Sequence, residues 1–282
     1  MNGIYQVEVG DFRVTAISDG HIPLPRETFI GVNEDQFNAA LRAASLPEGD
    51  YEAPINAFIV EQNGRVHLVD SGAGTLLPSL GKVGGRIIEA GYAPEQVETL
   101  FVSHLHPDHV GGATDDNGPV FPNAALVVHE ADHAFWTNPD NRASADDGAK
   151  LYFDIASNTL TAYQERLRLI SGEEQVISGV TALPLPGHTP GHCGFTLSSG
   201  SDQLLIWSDI VHMQYLQLKD PNVAVAFDTD PQSAAIQRKK ILDQAASDHL
   251  LVAGMHLAFP GMGQVEKAAD GQGYWFVPNS VP

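Results

Sequence analysis

Between residues 103 and 112 the chain reads Ser-His-Leu-His-Pro-Asp-His-Val-Gly-Gly. His104, His106, Asp108 and His109 thus put four possible metal ligands into six consecutive positions. Neutral imidazole nitrogen and carboxylate oxygen both bind divalent cations such as zinc. One pair of histidines in a loop would be an ordinary solvated feature. His-x-His-x-Asp-His directly after an apolar strand is more specific, because α/β folds place their chemistry on loops at strand ends. Pro107 stiffens this loop. Gly111 and Gly112 let the backbone pass close to a neighbour and are expected to start the next helix. Three more candidates stand at comparable places. His188 lies in the turn-rich Pro186-Gly187-His188-Thr189-Pro190-Gly191-His192. Asp209 ends Trp207-Ser208-Asp209, and His256 ends Gly254-Met255-His256. His188 follows His109 by 79 residues, Asp209 comes 21 later and His256 a further 47.

The elements that position these residues are legible from apolar periodicity. Tyr5–Val9 and Phe12–Asp19 alternate as antiparallel strands, and residues 20–33 read as loop. Glu34–Ala44 reads as a helix capped by Asn33. Ile55–Glu61 and Arg65–Asp70 form a hairpin across Asn63-Gly64, a strong turn signal. A helix near Arg86–Ala90, a short one from Pro94 and the strand Thr99–Ser103 lead into the histidine-rich loop. Ala124–His129 is a strand and Glu130–Trp136 a helix start. Residues 137–175 read as a mostly helical insertion, best at Asp147–Ser157 and Thr161–Ile170. Strands at Thr181–Pro184, Gly194–Leu197 and Gln203–Trp207 follow, then the helix Ser233–Ala246 and the strand Leu250–Ala253. The tail Gly273–Pro282 is aromatic and bounded by proline. A coarse repeat runs through this order. Each half has a strand ending in Asp (Asp70, Asp209), then a helix, then a strand ending in His (His104, His256).

Composition narrows the function classes. The chain has 282 residues, and 15 Lys and Arg stand against 35 Asp and Glu, a formal charge of −20. Such acidity opposes nucleic acid or an anionic membrane as partner, since the densest basic run, Arg238-Lys239-Lys240, falls on a helix. No apolar run approaches the roughly 20 residues of a membrane span. Cys193 is the only cysteine, which excludes an intramolecular disulfide and any multi-cysteine zinc site. The opening residues lack a basic stretch followed by an apolar core, so no signal peptide is expected. The expectation is a cytoplasmic protein with a single domain over 1–282.

The combined pattern resembles the metallo-β-lactamase superfamily over nearly the whole chain. The resemblance implies an α/β fold, an αβ/βα sandwich of two mixed β-sheets flanked by helices. It also implies two divalent metal ions per chain, with Zn first and Mn, Fe or Co as other choices. His104, His106 and His188 would hold one metal, and Asp108, His109 and His256 the other, with Asp209 bridging. β-Lactamases of the family commonly use Cys where this chain has Asp209, so β-lactam hydrolysis is not expected.

The finer resemblance is to the methyl parathion hydrolase and lactonase branch. It rests on Pro54–Phe58, Leu68–Gly72, Ala90–Gln96, His129–Asp132 with Phe135-Trp136, His256–Gly263 and Gly273–Pro278. It implies a hydroxide bridging the metals that attacks a lactone or aryl ester, with aromatic lactones such as dihydrocoumarin favoured. An organophosphate triesterase or an acyl-homoserine lactonase would use the same site. Asp108 could relay the proton to the leaving oxygen. His212, three residues after Asp209, could donate to the substrate carbonyl. Trp136, Phe153 and Phe227 are candidate walls for the substrate. Asp70 is the candidate acceptor for a ligand imidazole. His129 and His133 read as a partly exposed helix face, and His192 as a residue holding its turn. His21, His67 and His249 read as structural or solvated, and Cys193 as buried and unreactive. The expected partners are a small ester or lactone and a second copy of the chain.

Overall fold

The apolar runs resolve into two seven-stranded sheets. The structure is a computed structural model that describes residues 3–269 and 271–279. The first sheet has the spatial order β1 (Ile4–Val9), β2 (Phe12–Leu24), β3 (Tyr51–Gln62), β4 (Arg65–Val69), β5 (Val97–Phe101), β6 (Ala125–His129) and β7 (Leu167–Ile170). The first four strands are antiparallel neighbours, and β5, β6 and β7 run parallel to β4. The second sheet has the order β8 (Glu174–Ile177), β9 (Val180–Pro184), β10 (Cys193–Ser199), β11 (Asp202–Ile206), β12 (Leu251–Ala253), β13 (Met262–Lys267) and β14 (Tyr274–Pro278). Here β11 and β12 are parallel and the other neighbours antiparallel. The seven helices that matter to the site and its supports are α1 (Glu34–Ala43), α2 (Val83–Glu89), α3 (Pro107–Val110), α4 (Glu130–Trp136), α5 (Pro139–Ser144), α6 (Asp147–Ala162) and α7 (Pro231–Ser247).

Period-two alternation assigns the faces. Phe12, Val14 and Ala16 of β2 and Phe58 and Val60 of β3 meet Phe195, Leu197, Leu204 and Ile206 of the second sheet in a buried layer between the sheets. The opposite face of the first sheet, with Ala57, Ile59, Leu68 and Leu100, packs on Val83 and Ile87 of α2 and Phe153, Ala156 and Leu160 of α6. The outer face of the second sheet packs on Ile241, Leu242 and Ala245 of α7. The result is the expected αβ/βα sandwich. The coarse repeat is real, because β4–β5 and β11–β12 are the matching parallel pairs. Asn33 caps α1 as expected, with its side chain accepting from Gln36 N and the Gln36 side chain accepting from Asn33 N.

Four expectations need correction. Residues 20–24 continue β2 instead of looping. The strand survives there by slipping register: Ser18 pairs with Asn56 but Gly20 with Ile55, so Asp19 is a surplus residue in a bulge. The Asp19 carboxylate accepts from Ala73 N at 2.8 Å, Lys82 N at 2.6 Å and Val83 N at 3.1 Å. It thereby caps α2, whose own preceding residue makes no side-chain cap. Second, Thr161–Ile170 is not helical. Tyr163 ends α6, its buried hydroxyl donating to Ala113 O and accepting from Phe121 N. Beyond it, Leu167–Ile170 finds backbone partners along β6. Third, the helical part of 137–175 therefore stops short of β7, and Glu174 opens the second sheet. Fourth, helix begins earlier than expected, on the motif itself: Pro107 takes the first position of α3, where the missing N–H costs nothing, and a 3-10 turn then opens at Gly111 as expected. The aromatic tail forms β14 against β13, and its last three residues lie outside the described ones.

His67 on β4 is buried, packs 5.8 Å from the Phe101 ring and leaves Nδ1 without a hydrogen bond. Burial lowers its pKa to about 4 from 6.5. The unfolded chain takes up a proton near pH 6.5 that the folded chain refuses until about pH 4, so this residue costs stability as pH falls through that window. The slope is up to about 1.4 kcal/mol per pH unit. His67→Phe should therefore flatten the acid limb of stability, read as urea midpoints of metal-free protein at pH 7, 5.5 and 4.5. Parallel limbs for both proteins would sink this account.

Candidate metal centre

Asp70 follows β4, His104 to His109 follow β5, Asp209 follows β11, His256 follows β12, and His188 sits between β9 and β10. Parallel pairing within β4–β5 and β11–β12 carries these ends to one edge of the sandwich. Close backbone approaches hold the loops there. A Cβ on Gly74 would lie 2.2 Å from Gly111 O, and one on Gly112 2.1 Å from Ser71 O. Ser71 N donates to His109 O at 2.7 Å, and Gly112 N to Gly72 O at 3.0 Å. The two glycines of the motif thus do what their position in the sequence suggests.

The seven predicted ligands converge, and nearly all are buried. His104 Nε2 lies 2.9 Å from His106 Nδ1. His188 Nε2 lies 3.1 Å from His104 Nε2 and 3.0 Å from His106 Nδ1. Asp209 Oδ2 sits 3.1 Å from His256 Nε2, 3.3 Å from His109 Nε2, 3.4 Å from His188 Nε2 and 3.7 Å from His104 Nε2. Asp108 Oδ2 is 3.5 Å from His109 Nε2 and 3.4 Å from His256 Nε2.

The second nitrogen of each ring explains what the cluster is built for. His188 Nδ1 donates to Asp228 Oδ1 at 2.8 Å, and His109 Nδ1 to Asp70 Oδ2 at 2.7 Å. His256 Nδ1 donates to Pro54 O at 2.8 Å. Ser103 Oγ donates to Asp70 Oδ2 at 2.7 Å, so its oxygen is left to accept from His104 Nδ1 at 3.1 Å. In a neutral ring the proton sits on that outer nitrogen. His104, His109, His188 and His256 therefore all turn Nε2 inward, and that nitrogen is bare whenever the ring is neutral. Two such lone pairs 3.1 Å apart would repel, and among the described residues the buried His109 Nε2 has no hydrogen-bond partner. A divalent cation would satisfy this donor set: His104–His106–His188 and Asp108–His109–His256 are two triads that could each hold one, and Asp209 groups with His104 and His109 and with His188 and His212 between them.

Electrostatics follow burial and neighbouring charge. Burial and the neighbouring His109 hold His104 well below the usual histidine range. Burial also opposes charge on His188, yet Asp209 and Asp228 outweigh it and raise that group to about 9. His192 falls to about 3, chiefly by burial. Its neutral ring accepts from Asp209 N through Nε2 and donates through Nδ1 to Leu185 O. It therefore holds its turn, as expected, and also fixes the backbone of Asp209.

Beside the triads lies a cavity lined by Ile22, Leu24, His106, Asp108, Tyr152, Asp209, His212, Phe227 and His256. His212 Nε2 is 3.1 Å from Asp209 Oδ2, and its ring stacks on His256 at 5.1 Å. Phe227 stands 5.3 Å from His212 and 5.7 Å from His188. Trp136 and Phe153 line a larger adjoining cavity instead. Trp136 packs 5.4 Å from the His106 ring, and Phe153 packs behind Trp136 at 4.6 Å. His129 caps α4 by accepting from Ala131 N. Cys193 is buried with its thiol pushed up by that burial.

Several residues at the site carried no signal of their own. Asp228 stands among Asp220, Asp230 and other loop acids. Ser103, Ser208 and Asn56 look like ordinary strand-end residues. Asn56 Nδ2 donates to Gly254 O, Met255 O and Leu257 O, clamping the His256 loop onto β3. Tyr152, Ile22 and Leu24 are single apolar or aromatic positions far from any ligand in the chain.

The chain belongs to the metallo-beta-lactamase superfamily, whose family model matches residues 50–256. Solved structures resemble it along nearly their whole length. The crystal structure of the hydrolase AbOPH has a TM-score of 0.94 at 31% identity, covering 100% of this chain and 99% of that one. AidC, a dizinc quorum-quenching lactonase in complex with the product N-hexnoyl-L-homoserine, has a TM-score of 0.92 at 26% identity, covering 99% and 98%. An N-acyl homoserine lactonase of Bacillus cereus is 25% identical over 150 residues, 53% of this chain and 52% of that protein. The chain spans about half the length of the first curated relatives it matches.

Asp70 ties three of these features together, since it accepts from His109 Nδ1, Ser103 Oγ and Ser103 N. Asp70→Ala should weaken metal retention by about 10- to 100-fold, read by competition with a chromogenic chelator. Retention equal to wild type would mean the rings keep their orientation without it.

Proposed function

We propose that this chain is a dinuclear metal-dependent hydrolase that opens lactones or cleaves aryl esters, with zinc as the metal and aromatic lactones as preferred substrates. The observation that carries the reading is the pair of triads meeting at Asp209 Oδ2, with Nε2 of His104, His109, His188 and His256 turned inward. A pair of divalent cations in such a site supplies Lewis acidity toward a carbonyl and a water activated as nucleophile at neutral pH. The chain's own residues do the rest. Asp209 spans both triads. Asp108, with its side chain 18% exposed, is the ligand-set carboxylate most open to the cavity and is placed to pass a proton to the departing oxygen. Burial lowers His212 to about 4, so its ring is neutral at pH 7 and keeps one N–H for a substrate carbonyl. Phe227, Tyr152, Ile22 and Leu24 give the cavity apolar walls and exclude water from the reacting group. The similarity to AidC and to Bacillus N-acyl homoserine lactonases supports lactone chemistry and favours a second reading, an acyl-homoserine lactonase.

The test is to purify the protein, quantify its metals, and compare kcat/KM for dihydrocoumarin, an acyl-homoserine lactone and methyl paraoxon. Two metals per chain with dihydrocoumarin leading is the expected result. A leading acyl-homoserine lactone selects the second reading. A leading phosphotriester overturns the carbonyl-donor role of His212, and inertness toward all three overturns the substrate class.

His212→Leu should keep both metals and lose about 10²- to 10³-fold in lactone kcat, the usual effect of removing one such donor. Unchanged turnover would remove His212 from the reaction.

A further inference from the structure

α4 lies directly beneath the first triad, and it holds a side chain that the chemistry above does not use. Asp132, its third residue, is completely buried. One carboxylate oxygen, Oδ2, accepts from Leu105 N at 2.9 Å. The other, Oδ1, accepts from Gly191 N at 2.7 Å. Leu105 is the residue between His104 and His106, and Gly191 comes three after His188. The two amides thus belong to the two loops that together carry the whole first triad. Gly191 makes the approach possible, because a Cβ there would lie 2.4 Å from Asp132 N and 2.9 Å from Asp132 Cβ. One turn further along α4, Trp136 packs against the His106 ring.

The second triad is held by other means. His109 leans on Asp70, and His256 on Pro54 O, with Asn56 clamping its loop. The described contacts of Asp132 reach neither. A buried carboxylate is expensive unless its oxygens are hydrogen-bonded. Asp132 has that requirement met only when both loops stand at their observed separation. The carboxylate therefore acts as a gauge between them.

We propose that Asp132 is a positioning residue selective for the first triad: through one amide from each loop it sets the distance of His188 from His104 and His106. This inference rests on the two-triad reading above. Asn is the informative replacement, since it keeps the shape but turns an NH₂ group toward one of the two amides and loses that bond.

The test measures zinc affinity by competition with a chromogenic chelator, in two backgrounds that each disable one triad. On His256→Ala, which leaves the first triad intact, Asp132→Asn should lower zinc affinity by about 10- to 100-fold. On His188→Ala, which leaves the second, the change should stay under about twofold. Equal losses on both backgrounds, or no loss on the first, overturn the proposal. Wild-type protein holding one zinc would overturn the dinuclear reading itself. The wild-type and Asp132→Asn chains compared directly then decide for Asp132, a loss supporting it and no loss overturning it. Circular dichroism of the zinc-free proteins checks folding, and Asp132→Ser, which keeps one acceptor, carries the same expectation should the Asn variant fail to fold.

Discussion

Everything at this site answers one constraint: four imidazole rings must point bare nitrogens at one another in a space closed to water. Left alone, such rings would turn away or take up protons. An acceptor behind each ring fixes its orientation. Asp70, Ser103, Asp228 and Pro54 O hold the outer N–H groups of His109, His104, His188 and His256. These acceptors come from four different stretches of chain, so the sandwich has to be complete before the ligand set exists. The site is therefore a property of the packed sheets and not of the histidine-rich loop alone.

The backbone is drawn into the same task. Asp70 and Ser208 both adopt left-handed backbone angles, with φ of 58° and 51°. Non-glycine residues do so at a cost of about 1–3 kcal/mol where the surroundings enforce it. The two occupy comparable places just past β4 and β11, and Ser103 connects them: Ser208 Oγ donates to Ser103 Oγ at 2.8 Å, and Ser103 Oγ donates on to Asp70. A line of hydrogen bonds thus stitches the two halves of the coarse repeat together immediately behind the ligands.

The clustered His and Asp residues were legible because metal binding calls for particular atoms, and few residue types supply them. Strand ends, glycine pairs and the Asn63-Gly64 turn were legible for similar reasons of local chemistry. What stayed hidden depends on distant partners. Leu167–Ile170 becomes a strand only because β6 offers an edge, and Tyr163 stops α6 by bonding to Ala113 and Phe121 some 40 to 50 positions earlier. Asp132 and Asp228 look like surface helix or loop acids until the fold buries them. Trp136 and Phe153 drew attention as aromatic residues, yet the smaller cavity takes its ring walls from Tyr152 and Phe227. Which member of a helix faces a cavity is set by packing angles that periodicity alone does not specify.

The surplus residue in β2 sets the phase of everything after it. In an unbroken ladder His21 would stand opposite Ala53 and Pro23 opposite Tyr51. The slip at Asp19 pairs Ile22 with Ala53 and Leu24 with Tyr51 instead. The face that meets the cavity is accordingly written in aliphatic side chains, while His21 is left exposed on the other side. Because strand side chains alternate with a period of two, no intermediate setting exists. Polarity at this wall is thus governed by parity: one count in the chain, made at Asp19 shortly before β2 ends at Leu24, separates a greasy lining from an ionisable one.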